Sequence, residues 1–298
     1  MVAETPEASG SLFAPLIFAL TALLPFVVGT LLADVAGFPI RLEVFLAGAG
    51  ALAALILAAA AARKAFAPGA ARYPAWGPIS PSAAKGLGYG LLALAALLGL
   101  ILQFGLHTGN WTLPLVAGGI LGGYFYFAPP LQWYRRGWGE VLGALCLGQL
   151  PVIYGFYLQC GHVVTELLLY GVALSLAAFN LLLVHGFPAL EGDPPLGGGG
   201  PGERDSLAAR VRPVTAALVF TLVNILIIAG LVFDLLFPAN LLPFWAGFIF
   251  LIILAVVNQE VLKRQAYRRE AGIRLLCRLT LAQHLAMGLV FTISLWLR

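Results

Sequence analysis

The sequence predicts an all-α protein that crosses a membrane nine times. Three observations carry that prediction. Of 298 residues, 61% are hydrophobic and only 10% are charged, with a mean hydropathy of +0.95; soluble domains carry about 25% charged residues. The apolar residues fall into runs of about 20, the length that spans about 30 Å of hydrocarbon as a helix. The basic residues cluster in alternate connections between those runs, as the bias of Lys and Arg toward one side of a membrane requires.

The first run, near 12–33, follows a tail holding Glu4 and Glu7 without Lys or Arg, and 42–62 follows it across a short connection. Next comes a loop at about 63–86 with Arg63, Lys64, Arg72 and Lys85, whose Pro68, Pro74, Pro78 and Pro81 prevent a continuous helix. Tyr73 and Trp76 between those charges suit the headgroup layer, either as a connector or as a cap over a cavity. Runs 87–106 and 112–130 lead to a connection at about 131–138 with Arg135 and Arg136. Runs 139–158 and 163–185 precede a loop at about 186–213, which carries Arg204, Arg210, Arg212 and four glycines at 197–200. Runs 214–236 and 242–262 reach the fourth basic connection, about 263–278, with Lys263, Arg264, Arg268, Arg269, Arg274 and Arg278, and the last run is 279–297. Only Arg41 and Arg298 fall in the other set, which predicts the N-terminus and these four loops in the cytoplasm and the C-terminus outside. The fourth loop has the composition of an interfacial segment against anionic headgroups or of solvated charge.

The net charge of +4 is thus a topology signal, with no nucleic-acid partner implied. Cys146, Cys160 and Cys277 lack the spacing of a zinc site or a disulfide framework. No secretory leader is expected, and residues 1–298 are expected to form one transmembrane domain in a bacterial inner membrane.

Two segments carry a resemblance. Tyr126-Phe-Ala-Pro-Pro-Leu-Gln-Trp-Tyr-Arg-Arg-Gly-Trp-Gly-Glu140 follows the fourth run, and Gly148, Pro151, Gly155, Tyr157, Gln159 and Gly161 continue its pattern. Val184-His-Gly-Phe-Pro-Ala-Leu-Glu-Gly-Asp193 stands where the sixth run ends. With Pro25, Gly29-Thr30 and Ser80-Pro81 upstream, this series resembles the UbiA superfamily of intramembrane prenyltransferases. The resemblance implies a nine-helix bundle around a central, lipid-accessible cavity. It also implies two acidic motifs, after helices two and six, that hold Mg²⁺ against the diphosphate of an isoprenoid substrate.

This chain departs from that machinery. Arg63 and Lys64 fall where the resemblance implies Asn-Asp, and no Asp or Glu occurs from Val44 through Gly139. In the second motif Ala189 replaces the leading Asp, His185 takes a common Asn position, and Glu191 and Asp193 remain as the metal-ligand candidates. Gln132 and Tyr134 replace basic residues, and Glu203 replaces a Lys beside the retained Arg204. Two like unit charges about 4 Å apart repel by about 4 kcal/mol at an effective dielectric of about 20, so cations at the first motif oppose Mg²⁺. Arg63 and Lys64 serve either as topology residues or as direct contacts to an anionic headgroup.

The degenerate diphosphate region therefore comprises Arg63, Lys64, Ala189, Glu191, Asp193 and Arg204, and the cavity or lipid-binding candidates are Asn180, His185, Tyr126 and Tyr134. The expectation is a UbiA-like protein that binds an isoprenoid or a prenylated quinone. Conventional transfer is lost and no cofactor is held; the partners are membrane lipids and other subunits of a membrane complex. The alternative is an active aromatic prenyltransferase that uses Mg²⁺ through Glu191 and Asp193. No single residue assignable as catalytic emerges from the sequence.

Overall fold

The computed structural model describes residues 14–67, 79–165, 167–187, 207–236 and 244–298. Among them, eight helices are long and apolar enough to cross a membrane, and a shorter apolar helix brings the set to nine. In chain order these are α1 (Ala14–Val35), α2 (Leu42–Phe66), α3 (Pro81–Gly105), α4 (Thr112–Phe127), α5 (Gly139–Cys160), α6 (Leu167–His185), α7 (Pro213–Leu236), α8 (Trp245–Lys263) and α9 (Glu270–Trp296). The shorter one is α4, which carries a π-helical turn at Ile120–Tyr124.

Two helix starts differ from the sequence expectation. α3 begins at Pro81, not near residue 87, because the Ser80 hydroxyl accepts from the Ala83 N–H at 3.1 Å and Pro81 occupies the first turn. α9 begins at Glu270, so Arg274 and Arg278, expected in the fourth basic loop, lie on the helix. Ile273, Leu276 and Thr280 follow at helical spacing and are buried, which holds this charged first stretch against the bundle.

α1 is the central element, packed against α2, α5, α6 and α9. α6, α7, α8 and α9 close a four-helix ring in which each packs on the next. α2, α3, α4 and the first half of α5 form the other side. The outer faces of α3, α7 and α8 expose Leu97, Phe104, Leu222, Ile225, Phe250 and Ile253, as lipid contact demands. Trp111, Trp138, Trp245 and Trp296 are exposed at helix ends, the level of the membrane interface. The chain is an integral membrane protein. One end of the bundle is basic: among the described residues, only Arg41 and Arg298 place a Lys or Arg at the other.

In the four-helix ring Asn180, Asn224, Asn258 and Gln283 supply one amide from each helix, all buried, about three and a half turns from the less basic ends. Asn258 Nδ2 donates to Gln283 Oε1 at 2.6 Å, and Asn224 Nδ2 donates to the Ala255 carbonyl at 2.9 Å. Intramembrane side-chain hydrogen bonds of this kind couple by about 0.6 kcal/mol on average and about 1.7 at most. We therefore expect Asn258→Leu and Gln283→Leu each to destabilise the protein, and the double variant to lose about 0.6–1.7 kcal/mol less than the sum. Reversible unfolding of the four proteins in mixed micelles measures that coupling; strict additivity would refute it.

Candidate functional site

A cavity of about 50 Å³ lies inside the basic end of the bundle. Its wall is almost wholly apolar: Phe18 from α1; Ile56, Ala59 and Ala60 from α2; Gly122, Gly123, Tyr126 and Phe127 from α4; Gly143, Cys146 and Leu147 from α5; and Leu182 from α6. Five of these twelve are Gly or Ala; a Cβ on Gly123 would meet open space, whereas one on Gly122 or Gly143 would meet Cys146 or Leu182. The π turn of α4 contains both Gly122 and Gly123, and a widened turn of this type is frequent at functional positions.

Helical register places polar residues directly above this wall. Arg63 follows Ile56, Ala59 and Ala60 by seven, four and three residues, so it shares their stripe one turn nearer the basic end. Arg63 is half-buried there. His185 stands one turn beyond Leu182, with Nδ1 2.7 Å from the Leu181 carbonyl of its own helix. Lys64 lies about 100° around α2 from Arg63.

Tyr126 is part of the wall. Its ring meets Phe127 edge-on at 4.8 Å, and Tyr134 backs both rings at 6.4 and 5.5 Å. Tyr134 is held there by the turn at Trp133–Arg135, which Arg136 secures by donating to the Leu131 carbonyl at 2.6 Å while lying 5.5 Å from the Trp133 ring centre. Asn180 is placed differently from the other cavity candidates. It lies about 200° around α6 from Leu182, and its Nδ2 donates to the Phe220 carbonyl of α7 at 3.5 Å. Ala189, Glu191, Asp193 and Arg204 lie outside the described residues.

Glu140 had no role in the sequence reading beyond closing the Pro-Pro segment. It is the one buried acid among the described residues, 1% exposed, and stands one turn above Gly143 and two above Leu147. Its Oε1 accepts from the Leu207 N–H at 2.8 Å. Leu207 opens a one-turn helix, Leu207–Arg210, and Arg210 donates to the Arg135 carbonyl at 2.7 Å. The segment before α7 is thus tied to the segment between α4 and α5, at the lip of the cavity. The signal was present in the sequence, since Glu140 ends a stretch of nearly a hundred residues without an acid. Glu140→Gln keeps the acceptor, whereas Glu140→Ala strands the Leu207 N–H, a loss of about 1–3 kcal/mol. A thermal-shift series in detergent should rank wild type and Glu140→Gln close together and Glu140→Ala clearly below; an alanine variant as stable as glutamine would contradict the tie.

A divalent cation such as Mg²⁺ needs several oxygen ligands. At this lip the described donors do not fit one. Glu140 offers a single oxygen, Oε2, because Oε1 accepts from the Leu207 N–H; Arg63 and Lys64 occupy the end of α2, and no group of three His, Cys, Asp or Glu suited to a metal occurs among the described residues.

No family model matches the chain, and no curated protein matches it. Solved structures do. The apo structure of a UbiA homologue from Aeropyrum pernix K1 aligns with a TM-score of 0.64 at 16% identity, covering 92% of this chain and 96% of that one. A UbiA homologue from Archaeoglobus fulgidus bound to Cd²⁺ aligns with a TM-score of 0.57 at 18% identity, covering 94% and 99%. The chain has the UbiA fold. On that fold, α2 ends in Arg63 and Lys64, one turn beyond the cavity-lining Ala59 and Ala60, where the resemblance in sequence implied an acidic motif.

Proposed function

We propose that this UbiA-fold protein seats an isoprenoid chain, of the prenylated-quinone class or its precursors, and has lost conventional Mg²⁺-dependent prenyl transfer. The observation that carries the reading is the apolar cavity at the basic end, with a cation in register above it in place of metal-binding acids. A volume of about 50 Å³ holds a few water-sized groups at about 10–15 Å³ each, so it seats one end of a chain whose remainder extends into lipid. Burial of each methylene contributes about 0.8 kcal/mol, and the Tyr126, Phe127 and Phe18 rings offer the contact surface. The protein then acts as a lipid-binding member of a membrane assembly, not as a transferase.

Purification in a mild detergent followed by mass spectrometry of extracted lipids and co-purifying proteins tests this. An isoprenoid at near-stoichiometric occupancy is the expected result, and its absence would sink the reading. A second arm supplies labelled polyprenyl diphosphate with aromatic acceptors, with and without Mg²⁺. Metal-dependent product that disappears in Glu191→Gln and Asp193→Asn would establish the transferase instead.

A further inference from the structure

We infer that the lipid-facing side of α9, at the basic end of the bundle, is a binding site for an anionic phospholipid of the surrounding leaflet, with Arg278 and Arg274 holding its phosphate. The site lies on the outside of the bundle and does not depend on what the cavity binds. α9 presents two opposite stripes. Ile273, Leu276, Thr280, Gln283 and Met287 are buried, whereas Arg274, Arg278, Ala282, Leu289, Ile293 and Trp296 are exposed on the other side. The exposed stripe is apolar from Ala282 to Trp296, as lipid contact demands, and cationic at its other end.

Depth decides what those cations meet. Arg278 stands 18 residues before Trp296, about 27 Å along the helix at about 1.5 Å per residue. With Trp296 at one interface, Arg278 falls at the far edge of about 30 Å of hydrocarbon, and Arg274 one turn further, in the headgroup layer. Charged residues at membrane depth generally turn to the bundle interior or to a water-filled space. Arg278 instead is exposed on the lipid side and forms no ion pair among the described residues. The anion available at that level is a lipid phosphate, and a guanidinium fork matches two of its oxygens. Arg274 lies 3.7 Å from Glu270 but keeps 48% of its side chain exposed. Residues four apart on a helix have Cβ atoms about 5–6 Å apart, close enough for both guanidinium groups to share one phosphate. The turn before α9 adds Arg268 and Arg269, so the local surplus of positive charge favours a net-negative head over a zwitterionic one.

The test uses the full-length protein, delipidated in a neutral detergent, and three probes: phosphatidylglycerol, phosphatidylcholine with the same acyl chains, and glycerol phosphate. Native mass spectrometry reads the affinity of the first bound lipid for wild type, Arg278→Gln and the double variant Arg274→Gln/Arg278→Gln. Lys85→Gln serves as control, since Lys85 is an exposed cation on another helix of the basic end. A cation beside anionic lipid contributes about fivefold in affinity. Wild type should therefore prefer phosphatidylglycerol by about ten- to thirtyfold, and Arg278→Gln should lose about fivefold of its affinity for that lipid. The double variant should bind the two lipids alike, and Lys85→Gln should match wild type.

Equal affinity of wild type for the two lipids overturns the inference, as does a preference that survives in the double variant. So does a loss in Lys85→Gln as large as in Arg278→Gln, which would mean charge spread over the whole basic end, or glycerol phosphate binding as tightly as the lipid. A protein that co-purifies with wild type and is lost in Arg278→Gln, with phosphatidylglycerol affinity unchanged, would assign the stripe to an acidic protein segment instead. Should the variants fail to fold, phosphatidylglycerol with a photoreactive acyl chain, crosslinked to wild type and mapped by peptide mass spectrometry, decides. Labels between Ala282 and Ile293 support the site, and labels confined to other helices overturn it.

Discussion

Gly155→Leu is expected to abolish folded protein, and Gly155→Ala to cost about 3 kcal/mol, the upper part of the usual range for overpacking. α1 and α5 cross at backbone contact. A Cβ built on Gly155 runs into the Phe26 carbonyl oxygen and comes within 3.0 Å of the Thr30 nitrogen, and one built on Gly29 meets the Val152 carbonyl oxygen. Both obstacles are main chain in helix interiors, so no side-chain rotation relieves them. In lipid, where apolar burial adds little between helices, such close approach supplies much of the packing. Because α1 is central, separating it from α5 also disturbs its contacts with α2, α6 and α9. Size-exclusion profiles after detergent extraction should show Gly155→Leu as aggregate or absent and Gly155→Ala as folded with a lower midpoint. A monodisperse leucine variant with wild-type stability would mean that the helices do not touch here.

The apolar runs located all nine helices because composition alone decides which segments enter a bilayer. Ends were harder. Around Lys85 and Gly86 the first turn of α3 is only weakly apolar, and only the Ser80–Pro81 cap marks it. The first turns of α9 carry Arg274 and Arg278, which disguise a helix whose buried side is Ile273, Leu276 and Thr280. The resemblance singled out Arg63, His185 and Tyr126, of which Tyr126 lines the cavity and the other two stand one turn beyond lining residues of α2 and α6. The resemblance implied a cavity, but most of its wall was not legible, for a physical reason: Gly and Ala in a span signal either helix contact or empty space, and only the partner helix settles which. Gly29 and Gly155 are contacts, whereas a Cβ on Gly123, equally plain in the sequence, meets nothing within 4 Å. Glu140 escaped assignment for a similar reason, since its partner Leu207 lies 67 residues further along the chain.

That contrast makes Gly123 the position at which ligand binding separates from folding. Gly123→Phe should keep the fold and eliminate the co-purified lipid. The residue lines the cavity, and space is open where its side chain would start, so a phenyl ring grows into the volume the chain end would use. Gly123→Ala should be neutral or stabilising by up to about 1 kcal/mol, since a helical glycine gives up more backbone entropy than alanine. Two neighbours serve as controls. Gly118 on the same helix also has open space at its Cβ but is not part of the cavity wall, so Gly118→Phe should retain lipid. A Cβ on Gly122 collides with Cys146 Sγ, so Gly122→Ala should lower stability where Gly123→Ala does not. Lipid occupancy by mass spectrometry and thermal midpoint, measured on the same preparations, give the two axes. The cavity fails as the binding site if Gly123→Phe is stable and carries as much isoprenoid as wild type, because the ligand must then sit elsewhere on the bundle.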